Sequence, residues 1–175
     1  MMPRARLFWW LAATCALVLL TVGQSAPIAQ APAINPLVGT WALVSTIITL
    51  PDGTTRPDPQ VGATPKGYMI YGDANRMCAQ FTNPARPQWV STTQPTYDEL
   101  KSMIDFMGAY CSRYEVNVAE GYVLHYVEID RVPNFSTQVR RRNFRMEGPD
   151  RLILSAVPPP EGMRALTITW RRVKE

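Results

Sequence analysis

Turn-forming clusters cut this chain into short pieces. Pro51-Asp52-Gly53, Gly72-Asp73-Ala74-Asn75, Ala119-Glu120-Gly121 and Glu147-Gly148-Pro149-Asp150 separate runs rich in Val, Ile, Thr, Leu and Tyr. In such clusters proline presets one turn dihedral and glycine permits the positive one. The runs between turns and loops are residues 41–50, 67–71, 76–82, 113–118, 122–130, 138–146, 151–156 and 166–173. About eight strands, mostly consecutive and with little room for crossover helices, close most simply into an antiparallel up-and-down barrel. The 16 prolines among 175 residues agree, because long helices do not tolerate them.

One helix is expected to interrupt the strands. Thr96-Tyr97-Asp98-Glu99 has the form of a capping box, in which Thr96 accepts from the Glu99 amide and Glu99 reaches back. Leu100, Met103, Ile104 and Met107 follow at helical spacing, and Gly108 reads as the stop. This apolar face is expected to pack on the core, with a lid over the barrel opening as the alternative. Residues 83–95 and 157–162 are proline-bearing loops.

The chain divides into three parts. Residues 1–25 read as a secretory signal peptide: Arg4 and Arg6, then an uncharged apolar run from Leu7 to Val22, then small residues before Ala26. The alternative is an uncleaved anchor. Residues 26–36 carry three prolines and read as a flexible leader, and residues 37–175 form one barrel domain. The expected location is therefore outside the cytoplasm, either periplasmic or secreted, with no membrane span after cleavage. The whole chain carries a net charge of +4, and loss of Arg4 and Arg6 leaves 16 basic against 14 acidic residues. So small an excess gives no reason to expect nucleic acid. Cleavage leaves two cysteines, Cys78 and Cys111, which can pair in an oxidising compartment or remain free thiols.

Motifs along the whole domain carry a resemblance. Leu37-Val38-Gly39-Thr40-Trp41 opens the first strand with G-x-W, and Trp170-Arg171-Arg172 lies near the end. Between them come Gly67-Tyr68-Met69-Ile70-Tyr71, Arg76-Met77-Cys78-Ala79-Gln80, Tyr114-Glu115-Val116, Val123-Leu124-His125, Pro133-Asn134-Phe135 and Gln138-Val139-Arg140. In order and spacing these resemble the bacterial and fungal lipocalin-like domain family, over about residues 37–173. The resemblance implies an all-β, antiparallel up-and-down lipocalin-like β-barrel with one short helix. It implies that Gly39, Trp41 and Arg172 close one end, the arginine lying over the indole. It also implies a small apolar or amphipathic ligand, and supplies no substrate or shared reaction. The chain departs from the family in having Cys78 where a small residue such as serine is usual. It departs again at Tyr110-Cys111-Ser112-Arg113-Tyr114, where an aromatic and a glycine are replaced.

Alternation along strands nominates the interior. If Trp41 points inward, so do Leu43, Ser45 and Ile47. Val123, His125, Val127 and Ile129 share a face, which puts His125 on an apolar stripe. There it is either a satisfied core histidine or a group that contacts ligand. If Phe144 and Met146 point inward, so do Arg142 and Arg140, and an interior arginine needs a carboxylate from the protein or a ligand. The alternative is a bulge that turns all three consecutive arginines to water. Tyr68, Tyr71, Tyr110, Tyr114 and Tyr126 suit a half-wet pocket wall. The candidate ligand-binding set is His125, Arg140, Arg142, Tyr71, Tyr114 and Ser45.

No metal or cofactor site is expected, since His125 is the only histidine and nucleotide and zinc motifs are absent. No nucleophile motif is present either, so an enzyme of cyclase or isomerase type would rest on His125 as acid or base. A structural envelope protein with a solid barrel is the remaining alternative.

Overall fold

The computed structural model describes residues 35–174. The expected signal segment, residues 1–25, and most of the expected leader lie outside them. Nine strands follow in chain order: β1 (Gly39–Thr49), β2 (Thr55–Pro57), β3 (Lys66–Tyr71), β4 (Arg76–Thr82), β5 (Met107–Asn117), β6 (Tyr122–Asp130), β7 (Val139–Met146), β8 (Arg151–Val157) and β9 (Ala165–Arg172). One helix, α1 (Tyr97–Asp105), sits between β4 and β5. Each long strand pairs antiparallel with the next, and β1 pairs with both β3 and β9, so the sheet closes. The short β2 pairs only with the far end of β1, which leaves an eight-stranded antiparallel barrel.

Three of the four turn clusters named from sequence, at residues 72–75, 119–121 and 147–150, collect at one end, and residues 51–53 lie at the other. At the first of these ends Gly121 and Gly148 take positive φ, as does Asn75. The longer connections, including α1 and the Pro133–Phe135 3-10 turn, collect at the other end. Closed and open ends thus follow from loop length. Leu37, Trp41, Met69, Tyr71, Met77, Tyr114, Val123, Leu152, Leu154 and Trp170 form one buried cluster inside the barrel.

Two bulges shift the alternation, because an extra residue in one strand flips the faces beyond it. In β1 the register jumps between Leu43 and Ser45. Thr46 and Ile48 are therefore buried, instead of the expected Ser45 and Ile47. Between β5 and β6 it jumps at Cys111–Ser112, and Ile129, expected inside, is 66% exposed. Asp130 takes the inward place, its side chain 5% exposed.

The capping box of α1 forms as expected. The Glu99 amide donates to Thr96 Oγ1 at 3.3 Å, and the Thr96 amide donates to Glu99 Oε2 at 2.6 Å. The rest of the helix differs from expectation. It ends at Asp105, and Leu100, Met103 and Ile104 are all exposed instead of packed on the core. Gly108 belongs to β5: a Cβ there would lie 2.3 Å from the Phe81 ring, so this glycine makes room for an aromatic rather than stopping a helix.

Cys78 and Cys111 face each other in β4 and β5 and form a disulfide. It ties residues 33 apart in sequence across neighbouring strands.

Candidate functional site: a barrel cavity beside a Tyr–His–Tyr chain

The closed end is built on Trp41. Its Nε1 donates to the Leu37 carbonyl at 2.7 Å, and the Arg172 guanidinium lies 4.1 Å from its ring centroid. Arg172 also donates to the carbonyls of Val38 at 2.7 Å, Pro36 at 2.8 Å and Pro149 at 3.0 Å. It thereby ties the entry to β1 and the turn before β8 onto the last strand. Gly39 has φ 126°, and a Cβ there would meet Arg172 Nη1 at 2.7 Å. Tyr114 belongs to this end as well. Its hydroxyl donates to the Gly72 carbonyl at 2.7 Å and accepts from Asn35 Nδ2 at 3.1 Å.

Toward the open end the barrel holds a cavity of about 530 Å³. Much of its wall is apolar, with Met69, Phe81, Leu154, Leu166 and Ile168 among the residues that line it. The charged residues along it are Asp58, Asp130, Arg131, Arg140 and Arg142. The Arg131 guanidinium donates to the Ile104 carbonyl. A second hollow, about 650 Å³, lies where the Glu147–Arg151 turn meets β1 and β9. There Glu147 and Arg151 already pair, at 2.8 Å.

The three consecutive arginines of β7 obey strand alternation. Arg141 turns outward and stacks 4.1 Å over Tyr122. Arg140 and Arg142 turn inward and line the cavity. Arg140 pairs with Asp130 at 2.8 Å and lies over the rings of Tyr110 and Phe135, 4.8 Å and 5.3 Å from their centroids. Arg142 donates to the Arg141 carbonyl at 3.2 Å and forms no salt bridge with any carboxylate among the described residues.

Behind this wall lies a hydrogen-bonded chain. Tyr71 Oη is 2.7 Å from His125 Nε2, and Tyr110 Oη is 3.0 Å from His125 Nδ1. His125 is wholly buried, Tyr71 is 1% exposed, and Tyr110 lines the cavity. Burial pushes the His125 pKa down to about 3, and the nearby charges of Arg142 and Arg140 push the same way. The imidazole is therefore neutral at ordinary pH, with one nitrogen donating and the other accepting. Burial raises the pKa of both Tyr71 and Tyr110, so both phenols keep their protons.

The direction of the chain follows. Tyr71 has no other hydrogen-bond partner, and an unpaired hydroxyl proton in a dry interior costs about 1–3 kcal/mol. Tyr71 therefore donates to Nε2, and Nδ1–H donates to the oxygen of Tyr110. That leaves the Tyr110 proton without a protein acceptor among the described residues, on a residue that lines the cavity.

Of the candidate ligand-binding residues, Arg140 and Arg142 line the cavity. His125 stands one hydrogen bond behind it and Tyr71 two. Tyr114 is at the closed end, and Ser45 is displaced by the β1 bulge. Among the other tyrosines, Tyr68 lies 59% exposed on the barrel exterior. Tyr126 donates to Glu115 at 2.9 Å on an exposed face. Thr46, Asp130, Phe135 and Trp170 line the cavity although none was among the candidate ligand-binding residues. Strand alternation carried past the two bulges hides Thr46 and Asp130, and no sequence signal marks a bulge there. Trp170 is 2% exposed, and its indole N–H is buried without an acceptor. Among the described residues no cluster of side chains could hold a metal ion. Nor is any of their helices long and apolar enough to cross a membrane.

A solved structure of a redesigned beta barrel is 13% identical, matching 79% of this chain and 93% of that one with a TM-score of 0.40. No curated protein matches the chain. The family model for the lipocalin-like domain matches residues 38–173, which spans the barrel from its first strand to just past its last. The chain belongs to the lipocalin-like domain family.

Proposed function

We propose that this protein is an exported binder of a small, mostly apolar molecule, which it buries in the open end of its barrel. The cavity of about 530 Å³ carries this reading. Its volume falls within the range of small-molecule sites, which are mostly apolar with a few converging polar groups. Met69, Leu154, Leu166 and Ile168 supply an apolar wall, and Arg142 with the Tyr110 hydroxyl supplies the polar groups. A solid barrel offers no such space. Export is supported by the basic start and apolar run of the first 25 residues, and by the disulfide, since disulfides persist in oxidising compartments.

Binding is favoured over acid–base catalysis by His125. Both ring nitrogens are occupied by tyrosine hydroxyls, and Tyr110 stands between the imidazole and the cavity. The role left to His125 is to orient Tyr110.

Native mass spectrometry of protein from the exported fraction tests the reading. The expected result is a small-molecule mass that leaves on denaturation, on a chain that starts near Ala26. Ala156→Phe, which puts a ring into the cavity wall, should abolish that mass and leave the fold intact. Retention of the same ligand by A156F would move the site elsewhere, and a bare mass that no added apolar compound shifts would overturn the reading.

A further inference from the structure

We infer that the ligand is an anion, a carboxylate at the end of an apolar body, with Arg142 as its counter-ion and Tyr110 as its hydrogen-bond donor. This rests on the binding reading above and adds the charge of the ligand.

Three observations converge on it. First, the two inward arginines differ. Arg140 is neutralised by Asp130 at 2.8 Å, whereas Arg142 forms no ion pair among the described residues although it lines the same cavity. A guanidinium facing an apolar cavity is stabilised by a carboxylate, which its planar fork matches with two parallel hydrogen bonds.

Second, the Tyr110 hydroxyl on the same cavity wall lacks an acceptor for its proton. The Tyr71–His125 chain fills the lone pair of Tyr110 on its inner side and leaves that hydroxyl a proton to give. A ligand that only accepts satisfies that donor. Thr46, Gln60 and Gln138, the neutral polar side chains of the wall, donate as readily as they accept.

Third, the inward charges fit an anion. Asp130 is already paired with Arg140, so a negative group beside Arg142 meets an unmatched positive charge and a cation there meets repulsion. His125, held neutral by burial, adds no further positive charge.

Three probes with the same ten-carbon body separate charge from apolar burial: decanoate, decan-1-ol and decyltrimethylammonium. Binding to the purified protein is read at pH 7.5 by intrinsic tryptophan fluorescence. Decanoate should bind about tenfold tighter than decanol or better, with the cation weakest, as for one charge-assisted contact. Arg142→Gln should bring decanoate and decanol close to equal affinity, decanoate losing more, while Arg142→Lys should keep most of the preference. Tyr110→Phe should weaken decanoate by about threefold more than it weakens decanol.

Equal binding of decanol and decanoate by the wild-type protein overturns the charge inference and leaves the binding reading standing. Binding of none of the three overturns both. A preference that survives in folded R142Q overturns the role of Arg142. If R142Q lacks the near-UV circular dichroism of the wild type, the other two variants decide. Loss of the preference in folded R142K overturns the inference, and so does Y110F binding decanoate as tightly as the wild type.

Discussion

The Tyr71 hydroxyl lies 2.7 Å from Nε2 of His125, and both side chains are sealed inside the barrel. Burial holds the histidine in its neutral form, bringing its pKa from 6.5 to about 3, and the charges of Arg142 and Arg140 act the same way. The sign of the pH dependence follows. The unfolded chain takes up a proton near pH 6.5, and the folded chain only near pH 3. The His125 contribution to stability is therefore whole above pH 6.5. It is lost as pH falls toward 3, by about 1.4 kcal/mol per pH unit. His125→Gln removes this titration. The gap in urea midpoint between wild type and H125Q should be widest at pH 7 and narrow steadily toward pH 4. A gap independent of pH would show that His125 titrates normally in the folded protein.

Arg172 should matter more to stability than its place near the chain end implies. Arg172→Ala loses the contact with Trp41 and three hydrogen bonds to carbonyls that join the closed end. A cation–π contact is worth about 0.5–2 kcal/mol and each hydrogen bond about 1 kcal/mol, so a loss of about 3–5 kcal/mol is expected. Gly39→Ala should destabilise through the same contact, because its Cβ would press on Arg172 Nη1 from a positive-φ position. Since both changes disturb one contact, the double variant should lose less than the two single losses combined. Chemical denaturation of the three variants measures this directly.

The disulfide should act mainly on the unfolded chain. Closing a loop between residues 33 apart restricts that chain by about 3–4 kcal/mol. In the folded barrel the two cysteines are already register partners on paired strands. Cys78→Ser with Cys111→Ser should therefore keep the near-UV spectrum of the wild type and lower the denaturation midpoint. Reductant should lower the wild-type midpoint to a similar value and leave the double variant unmoved.

Much of the barrel was legible in the sequence because turns and strand alternation are local signals. The clusters at residues 72–75, 119–121 and 147–150 each fall where the chain reverses, and the Thr96–Glu99 box starts the helix. The alternation of Arg140, Arg141 and Arg142 also held, because β7 pairs with β6 and β8 without a bulge. What was not legible depends on contacts distant in sequence. Gly108 resembles a helix stop until Phe81, from the neighbouring strand, is seen to lie over it. The spacing of Leu100, Met103 and Ile104 matches a buried helix face, yet no element covers them. His125 stood out as the only histidine, but its partners come from β3 and β5, and only the closed sheet brings them together.

The β1 bulge gives a direct contrast between neighbouring residues. Simple alternation from Trp41 puts Ser45 inside, whereas the register shift after Leu43 puts Thr46 there, 6% exposed and on the cavity wall. A ring introduced at position 46 enters the space a ligand needs, and at position 45 it points away. Thr46→Phe should weaken binding of an apolar probe such as decan-1-ol by tenfold or more, as about 1.4 kcal/mol of lost contact does. Ser45→Phe should leave the affinity within about twofold. Fluorescence titration of the two variants side by side is the measurement. The reverse order, with S45F the weaker binder, would mean that β1 runs through the barrel without its bulge, and the inward face of that strand would have to be reassigned from Leu43 onward.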